Sequence, residues 1–246
     1  MRYFIEVSYN GAAYSGFQTQ QNANTIQDEV EKALAILLKQ PVILTGSSRT
    51  DAGVHALQNF FHFDFSSTIP TECSYNLNAI LPADIAVKKI NNVRVDAHCR
   101  FDALSREYKY FIYQEKNPFL NETAYYYPYK LDYSLLNEAA LLIKEYSDFT
   151  SFSKRNTQVK SFVCSIYESK WLKEGNSLVY NVKANRFLRG MVRGLVATML
   201  KVGSQKTTLE HFAEIIESKD CTKASFSAPA KGLFLSEVCF PQEYYK

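Results

Sequence analysis

One short run in this chain sets a carboxylate and a guanidinium two residues apart among small side chains. It is Gly46-Ser47-Ser48-Arg49-Thr50-Asp51-Ala52-Gly53-Val54-His55-Ala56. Small neighbours let the backbone bend tightly and admit a substrate. A carboxylate so presented acts as a nucleophile or as a general base. To stay ionised in a dry pocket it needs a cation beside it. The plain alternative is a polar turn, in which Asp51 satisfies local N–H groups and Arg49 is solvated. A second candidate group is Arg186, Arg189 and Arg193, spaced three and four apart as on one face of a helix. Leu188, Val192, Leu195 and Met199 would form another face, and Gly190 and Gly194 would let a backbone or a nucleic acid come close.

The elements that must hold these residues follow from periodicity. Tyr3, Ile5, Val7 and Tyr9 alternate as a strand. Thr25 is placed to N-cap a helix carrying Ile26, Val30, Ala33, Leu34, Leu37 and Leu38 at helical spacing. Strands are expected at Val42–Thr45, Phe60–Phe65 and Ile85–Val95, with a brief helix at Asn76–Ile80. The Asp51 run is then a loop between two strands, where a sheet presents functional side chains. The same order recurs downstream. Strands are expected at Arg106–Gln114, Phe162–Leu172, Leu178–Ala184 and Leu233–Phe240. Helices are expected at Leu135–Tyr146, Phe187–Val202 and Leu209–Glu217, the last with a Thr207/Glu210 capping box. Two successive β-α-β-β-α-β runs imply an α+β protein of two ferredoxin-like halves, 1–100 and 101–246, that either join into one mostly antiparallel central sheet flanked by helices or stand as separate domains. The join near Asp96–Ser105 is not Gly/Ser-rich, so it reads as tight.

Composition narrows the function class. The 246 residues, 46% hydrophobic and 22% charged, describe an ordinary globular chain with a net charge of +3. Seventeen Tyr and seventeen Phe against one Trp suit a β-rich core and would also suit base stacking. Cys73, Cys99, Cys164, Cys221 and Cys239 are scattered, with no CxxC pair and no Cys/His cluster at ligand spacing. Neither a metal nor a disulfide framework is expected, and no apolar run reaches membrane length. A reduced cytoplasmic protein is the default. His55, His62, His98 and His211 read as structural or RNA-facing. Tyr125-Tyr126-Tyr127-Pro128-Tyr129 reads as a loop or edge strand packed on the core.

Arg49-Thr50-Asp51-Ala52-Gly53-Val54-His55-Ala56 resembles the signature of the tRNA pseudouridine synthase A family. Further segments resemble that family in order along nearly the whole chain. They are Tyr9-Asn10-Gly11 with Tyr14 and Gly16-Phe17-Gln18; Asn78–Pro82; His98-Cys99-Arg100-Phe101; Ser105–Tyr110; Asp148–Phe152; Lys183–Asn185 with Phe187; Met191-Val192-Arg193; and Pro229–Leu235. Asn10 stands for the usual Asp, Lys160 for the usual Arg, and Ser48 for the usual Gly, a change of little cost unless φ is positive there.

The resemblance implies a cofactor-free, metal-free homodimeric enzyme that isomerises uridines 38, 39 and 40 of the tRNA anticodon stem-loop. Asp51 would be its catalytic carboxylate, Arg193 the cation paired with it, and Tyr108 the ring that stacks on the target uracil. Arg49 would help displace the base, and Leu233 would pack below it. Arg100, Asn156 and Lys160 match positions that contact tRNA, and Arg186 and Arg189 share the arginine face. The rival class is a non-catalytic RNA-binding module, since ferredoxin-like units often bind RNA on the sheet face.

Overall fold

The computed structural model describes residues 1–70, 72–155 and 159–245. Among these the chain forms nine β-strands and five α-helices, an α+β protein. It divides into two compact units, Met1–Leu104 with Phe234–Lys246, and Ser105–Leu233.

In the first unit β1 (Arg2–Tyr9) lies between β3 (His55–Asp64) and β4 (Ile85–Val93), antiparallel to both. Its apolar residues pack on both faces: Ile5 and Val7 are fully buried on one and Phe4 is buried on the other, and Phe61 of β3 is fully buried too. Short β2 (Thr45–Gly46) pairs antiparallel with β3, and β9 (Leu233–Cys239) runs parallel to β3 on the pairing His55↔Phe234. Helix α1 (Ile26–Leu38) starts where Thr25 accepts a hydrogen bond from the Asp28 N–H, and stops at Lys39 in the left-handed region at φ 56°. Its buried face is Ile26, Val30, Ala33 and Leu34, the stripe that the spacing predicts. The brief helix expected at Asn76–Ile80 begins earlier, as α2 (Cys73–Ile80).

The strand expected at Val42–Thr45 is displaced to Thr45–Gly46 for a visible reason. Two side chains of α1 take the backbone groups that a ladder would use. Glu31 Oε1 accepts from the Leu44 N–H at 2.9 Å, and Gln27 Nε2 donates to the Leu44 carbonyl at 2.9 Å. Conversely, β3 begins five residues before the expected Phe60, because Ala56 pairs with Tyr9. The strand therefore reaches into the Asp51 run.

In the second unit β5 (Ser105–Tyr113) and β7 (Ile166–Glu174) flank β8 (Ser177–Ala184), all antiparallel, and β6 (Tyr125–Tyr126) runs parallel to the end of β5. The tyrosine-rich run thus supplies an edge strand, with Tyr127 buried beneath it. Residues 162–164, expected to open β7, bond instead to the preceding segment, Phe149 N–H to the Phe162 carbonyl and Cys164 N–H to the Ser147 carbonyl. Helix α3 (Tyr133–Leu142) is capped by Asp132, and α5 (Leu209–Glu217) by Thr208, one residue later than the expected cap. Helix α4 (Met191–Gly203) is almost wholly buried. It starts four residues after the expected Phe187, because Gly190 adopts φ 77° and breaks the turn. Arg186 and Arg189 therefore precede the helix and share no helical face with Arg193, which corrects the arginine-face reading.

His62 in β3 generates a pH dependence. Its ring is buried against the His98 ring, 4.5 Å away, with Cys99 Sγ 3.2 Å from Nδ1. Burial, reinforced by His98 and Arg2, pushes its pKa down to about 4, and His98 is lowered by burial too. The unfolded chain binds a proton near pH 6.5 that the native chain refuses. Stability is then lost as pH falls from about 6.5 toward 4, with a slope of up to ~1.4 kcal/mol per pH unit from His62. Urea unfolding across that range is expected to fall less steeply for His62→Gln than for wild type; equal slopes would contradict the assignment.

Candidate active site

Two of the predicted site residues, Arg49 and Asp51, share one loop of the first unit, and that loop is gripped along its length by the segment Tyr9–Phe17. The Phe17 N–H donates to the Thr50 carbonyl at 3.1 Å, and the Gly53 N–H donates to the Tyr14 carbonyl at 3.3 Å. These bonds fall on either side of Asp51. The Tyr9 hydroxyl lies 2.8 Å from Thr50 Oγ1 and accepts from Asn59 Nδ2, which also donates to the Ser48 carbonyl at 3.1 Å. The loop closes on itself through the Val54 N–H to the Asp51 carbonyl, with Gly53 at φ 73°. Asp51 is half-buried between buried Thr50 and exposed Ala52, and Arg49 is exposed.

Two glycines make this grip possible. A Cβ on Gly11 would fall 2.0 Å from the Val54 carbonyl oxygen. Gly16 sits at φ 114°, and a Cβ there would lie 3.1 Å from the Thr50 carbonyl oxygen. Gly11 also donates its N–H to His55 Nδ1 at 3.1 Å, while the His55 ring stacks on Phe234 at 4.5 Å. That bond fixes the Nδ1 lone pair as an acceptor and occupies the histidine of the motif in holding the loop. Beneath, Phe17 stacks on Phe61 at 4.3 Å and 10°, filling the space that Gly46 leaves open. Ser48 is buried and is absent from the positive-φ residues, so serine carries no backbone strain in place of the usual glycine.

Arg100, also in the first unit, is exposed, with its guanidinium 5.8 Å from the Phe101 ring centroid and its backbone N–H donated to His98 Nδ1.

In the second unit, Tyr108, Arg193 and Leu233 belong to elements tied together by the segment Ser225–Gly232. Arg193 Nε donates to the Ala228 carbonyl at 2.7 Å, and the Tyr110 hydroxyl donates to the Pro229 carbonyl at 2.8 Å. The Ser225 N–H reaches Thr198 Oγ1, and Phe226 fills the notch at Gly194, where a Cβ would meet its ring at 2.9 Å. Gly194 thus admits the half-buried Phe226 ring, where the sequence reading expects a backbone or a nucleic acid. Gly190 is likewise covered by the aliphatic stem of Lys154, whose Cγ would be 3.0 Å from a Cβ there. Tyr108 and Tyr110 are two apart on β5 and share a face. Tyr108 is 9% exposed, its ring edge-on to Phe187 at 4.9 Å and 82°. Burial raises the Tyr110 phenol far above its ordinary range despite the opposing field of Arg193. Leu233 is buried at the end of a 3-10 turn, Ala230–Gly232.

Arg189 and Lys160 are exposed and Arg186 is half-exposed, close enough to buried Cys164 for its charge to oppose the upward shift that burial gives that thiol, to about 11. Asn156 lies outside the described residues. Among the described residues no group of three or more His, Cys, Asp or Glu side chains could hold a metal ion, and no helix is long and apolar enough to cross a membrane.

A carboxylate held on a braced loop after a short strand, in an α+β fold, fits an enzyme class that the sequence also matches. The family model for tRNA pseudouridine synthase aligns with residues 5–102 and 146–241, and the chain belongs to that family. Among its relatives, the tRNA pseudouridine synthase A of Parabacteroides distasonis is 46% identical over 246 residues, covering 99% of this chain and 98% of its own. That of Porphyromonas gingivalis is 43% identical over 249 residues, 99% of each chain. That of Staphylococcus saprophyticus is 39% identical over 241 residues, 97% of this chain and 90% of its own.

The loop grip predicts the effect of filling a glycine. Gly11→Ala must push the Val54 carbonyl aside, and overpacking of this kind costs ~1–3 kcal/mol. Chemical denaturation should report that loss, and tRNA isomerisation should slow with it. An alanine variant as stable and active as wild type would show that the loop does not depend on this contact.

Proposed function

We propose that this chain converts uridines at positions 38, 39 and 40 of the tRNA anticodon stem-loop to pseudouridine, with Asp51 as the catalytic carboxylate. The observation that carries the reading is the bracing of Asp51 by hydrogen bonds at Thr50 and Gly53 within the Arg-Thr-Asp-Ala-Gly-Val-His-Ala run. The family membership and the names of its relatives support it.

The reaction breaks the N1–C1′ glycosidic bond, turns the held uracil, and joins C5 to C1′. The proton on C5 leaves and N1 gains one, so the change is an isomerisation that consumes nothing. Asp51 serves as nucleophile or as base on the ribose, and either role needs an ionised, fixed carboxylate. In this reading Arg193 is the cation that orients it, since a guanidinium offers a bidentate pair. Its Nε bond to Ala228 would fix the plane of that fork.

Tyr108 stacks on the uracil, an interaction of ~1–3 kcal/mol per base, and Leu233 packs against the base. A uridine paired or stacked in the stem must be flipped out to react, at a cost of a few kcal/mol, and Arg49 takes part in displacing it. Arg100, Asn156, Lys160, Arg186 and Arg189 contact the tRNA, and the four cations among them each add to the salt dependence of binding. Two ferredoxin-like halves, 1–100 with the carboxylate and 101–246 with the tyrosine and arginine, form the framework. The enzyme works as a cytoplasmic homodimer without cofactor or metal. The order β4-β1-β3-β2, antiparallel among these four strands, supports the ferredoxin-like reading, with β9 added parallel to β3.

The test is tritium release from unmodified tRNA carrying 5-tritiated uridine. Wild type is expected to release the label, and Asp51→Asn to be slower by ~10²–10⁴ or more. Arg193→Lys should retain more activity than Arg193→Ala, because it keeps charge while losing the fork. No release by wild type, with tRNA binding intact, would mean a non-catalytic RNA-binding protein.

A further inference from the structure

Tyr14, which is buried, and Asp84, which is half-buried, form a contact that no step of the proposed reaction uses. The Tyr14 side chain is 5% exposed, and its hydroxyl donates to Asp84 Oδ1 at 2.6 Å. Burial, then this bond, raises the phenol well above its ordinary range, so it remains a donor throughout the working pH range. A second contact ties the same two segments, since the Asn10 N–H donates to the Asp84 carbonyl at 2.9 Å. Asp84 immediately precedes β4, a strand paired along the whole of β1.

The tyrosine is anchored at one end and bonded to the Asp51 loop at the other. Its carbonyl receives the Gly53 N–H, its N–H donates to the Gly11 carbonyl, and Gly16 carries the chain past Thr50 to the Phe17–Thr50 bond. Both backbone bonds that bracket Asp51 therefore pass through residues 11–17. Among the described residues, the side-chain hydrogen bond that Tyr14 makes leads to Asp84.

We infer that Asp84, acting through the Tyr14 hydroxyl, is a positioning residue that sets the Asp51 loop for catalysis. The inference rests on the reading of Asp51 as the catalytic carboxylate. Positioning errors of about 1 Å lower rates by as much as ~10²-fold. Loss of a fixed loop geometry acts on the chemical step, whereas tRNA is held by contacts elsewhere. The effect should therefore fall on kcat and spare KM.

The experiment compares Tyr14→Phe, Asp84→Ala, Asp84→Asn and Asp51→Asn with wild type. It reads tritium release at saturating and subsaturating tRNA, with thermal unfolding of each variant alongside. Asp84→Ala and Tyr14→Phe are expected to lower kcat by ~10- to 100-fold, with KM for tRNA within about twofold of wild type. Asp84→Asn should recover most of kcat, because its amide oxygen still accepts from the phenol. Full kcat in both Asp84→Ala and Tyr14→Phe would overturn the inference. So would an Asp84→Asn variant no better than Asp84→Ala, with kcat falling only as far as the melting temperature does. If Asp51→Asn keeps its activity, the underlying reading fails first, and this inference with it. An inactive Asp51→Asn beside a fully active Asp84→Ala would remove the inference alone.

Discussion

Two backbone hydrogen bonds, Phe17 N–H to the Thr50 carbonyl and Gly53 N–H to the Tyr14 carbonyl, hold the chain on either side of Asp51. Much of the first unit is arranged around making those bonds possible. Phe17 must lie under the loop, so Gly46 has no side chain there, and Phe61 offers a flat surface to stack on. Gly11 must pass against the Val54 carbonyl, so it too lacks a side chain, and His55 turns inward to accept its N–H. Thr25 caps α1 from the end of the same N-terminal segment, and the Ile26 and Gln27 N–H groups bond to the Gly16 and Phe17 carbonyls. The loop that carries the carboxylate is consequently not a mobile excursion between strands. It is tied by backbone hydrogen bonds on both sides of Asp51, and a fixed carboxylate is a condition for preorganised electrostatic catalysis.

The second unit solves an equivalent problem with different parts. Arg193 projects from the first turn of a buried helix, and its Nε is taken by a backbone carbonyl of Ser225–Gly232. The same segment accepts the Tyr110 hydroxyl, and Gly232 lies so close to the Tyr110 ring that a Cβ would approach it at 2.8 Å. A flexible arginine is thereby given one preferred orientation, while its charge is felt by the buried phenol one pleat from Tyr108. In both units Gly11, Gly46, Gly194 and Gly232 are explained by close packing inside the protein before any substrate is considered.

The framework and the loop are legible in the sequence for specific reasons. The Thr25 cap and the 26–34 stripe, the alternation in β1, and the carboxylate among small residues are local signals, and each appears in the structure as an element or a loop at that place. What escaped was set by contacts distant along the chain. The strand at Val42–Thr45 gave way because Gln27 and Glu31 captured Leu44, and no local pattern announces such a capture. Helix α4 began late because Gly190 took a left-handed conformation, which moved Arg186 and Arg189 off the helical face. Gly194 marks a place where the Phe226 ring enters, thirty-two residues on, and the string around it does not tell a packed ring from an approaching ligand. The role of Tyr9–Phe17 as the brace of the Asp51 loop was invisible for the same reason, although those residues stood out as a motif.

The central claim is that the braced carboxylate at position 51 isomerises uridine in the anticodon stem-loop. The most direct measurement is site-resolved mapping of pseudouridine in an unmodified tRNA with uridines at 38, 39 and 40, incubated with wild type or with Asp51→Asn. Pseudouridine is expected at those positions with wild type and at none of them with the variant. Pseudouridine formed only elsewhere in the tRNA, or formed equally by Asp51→Asn, would contradict the claim.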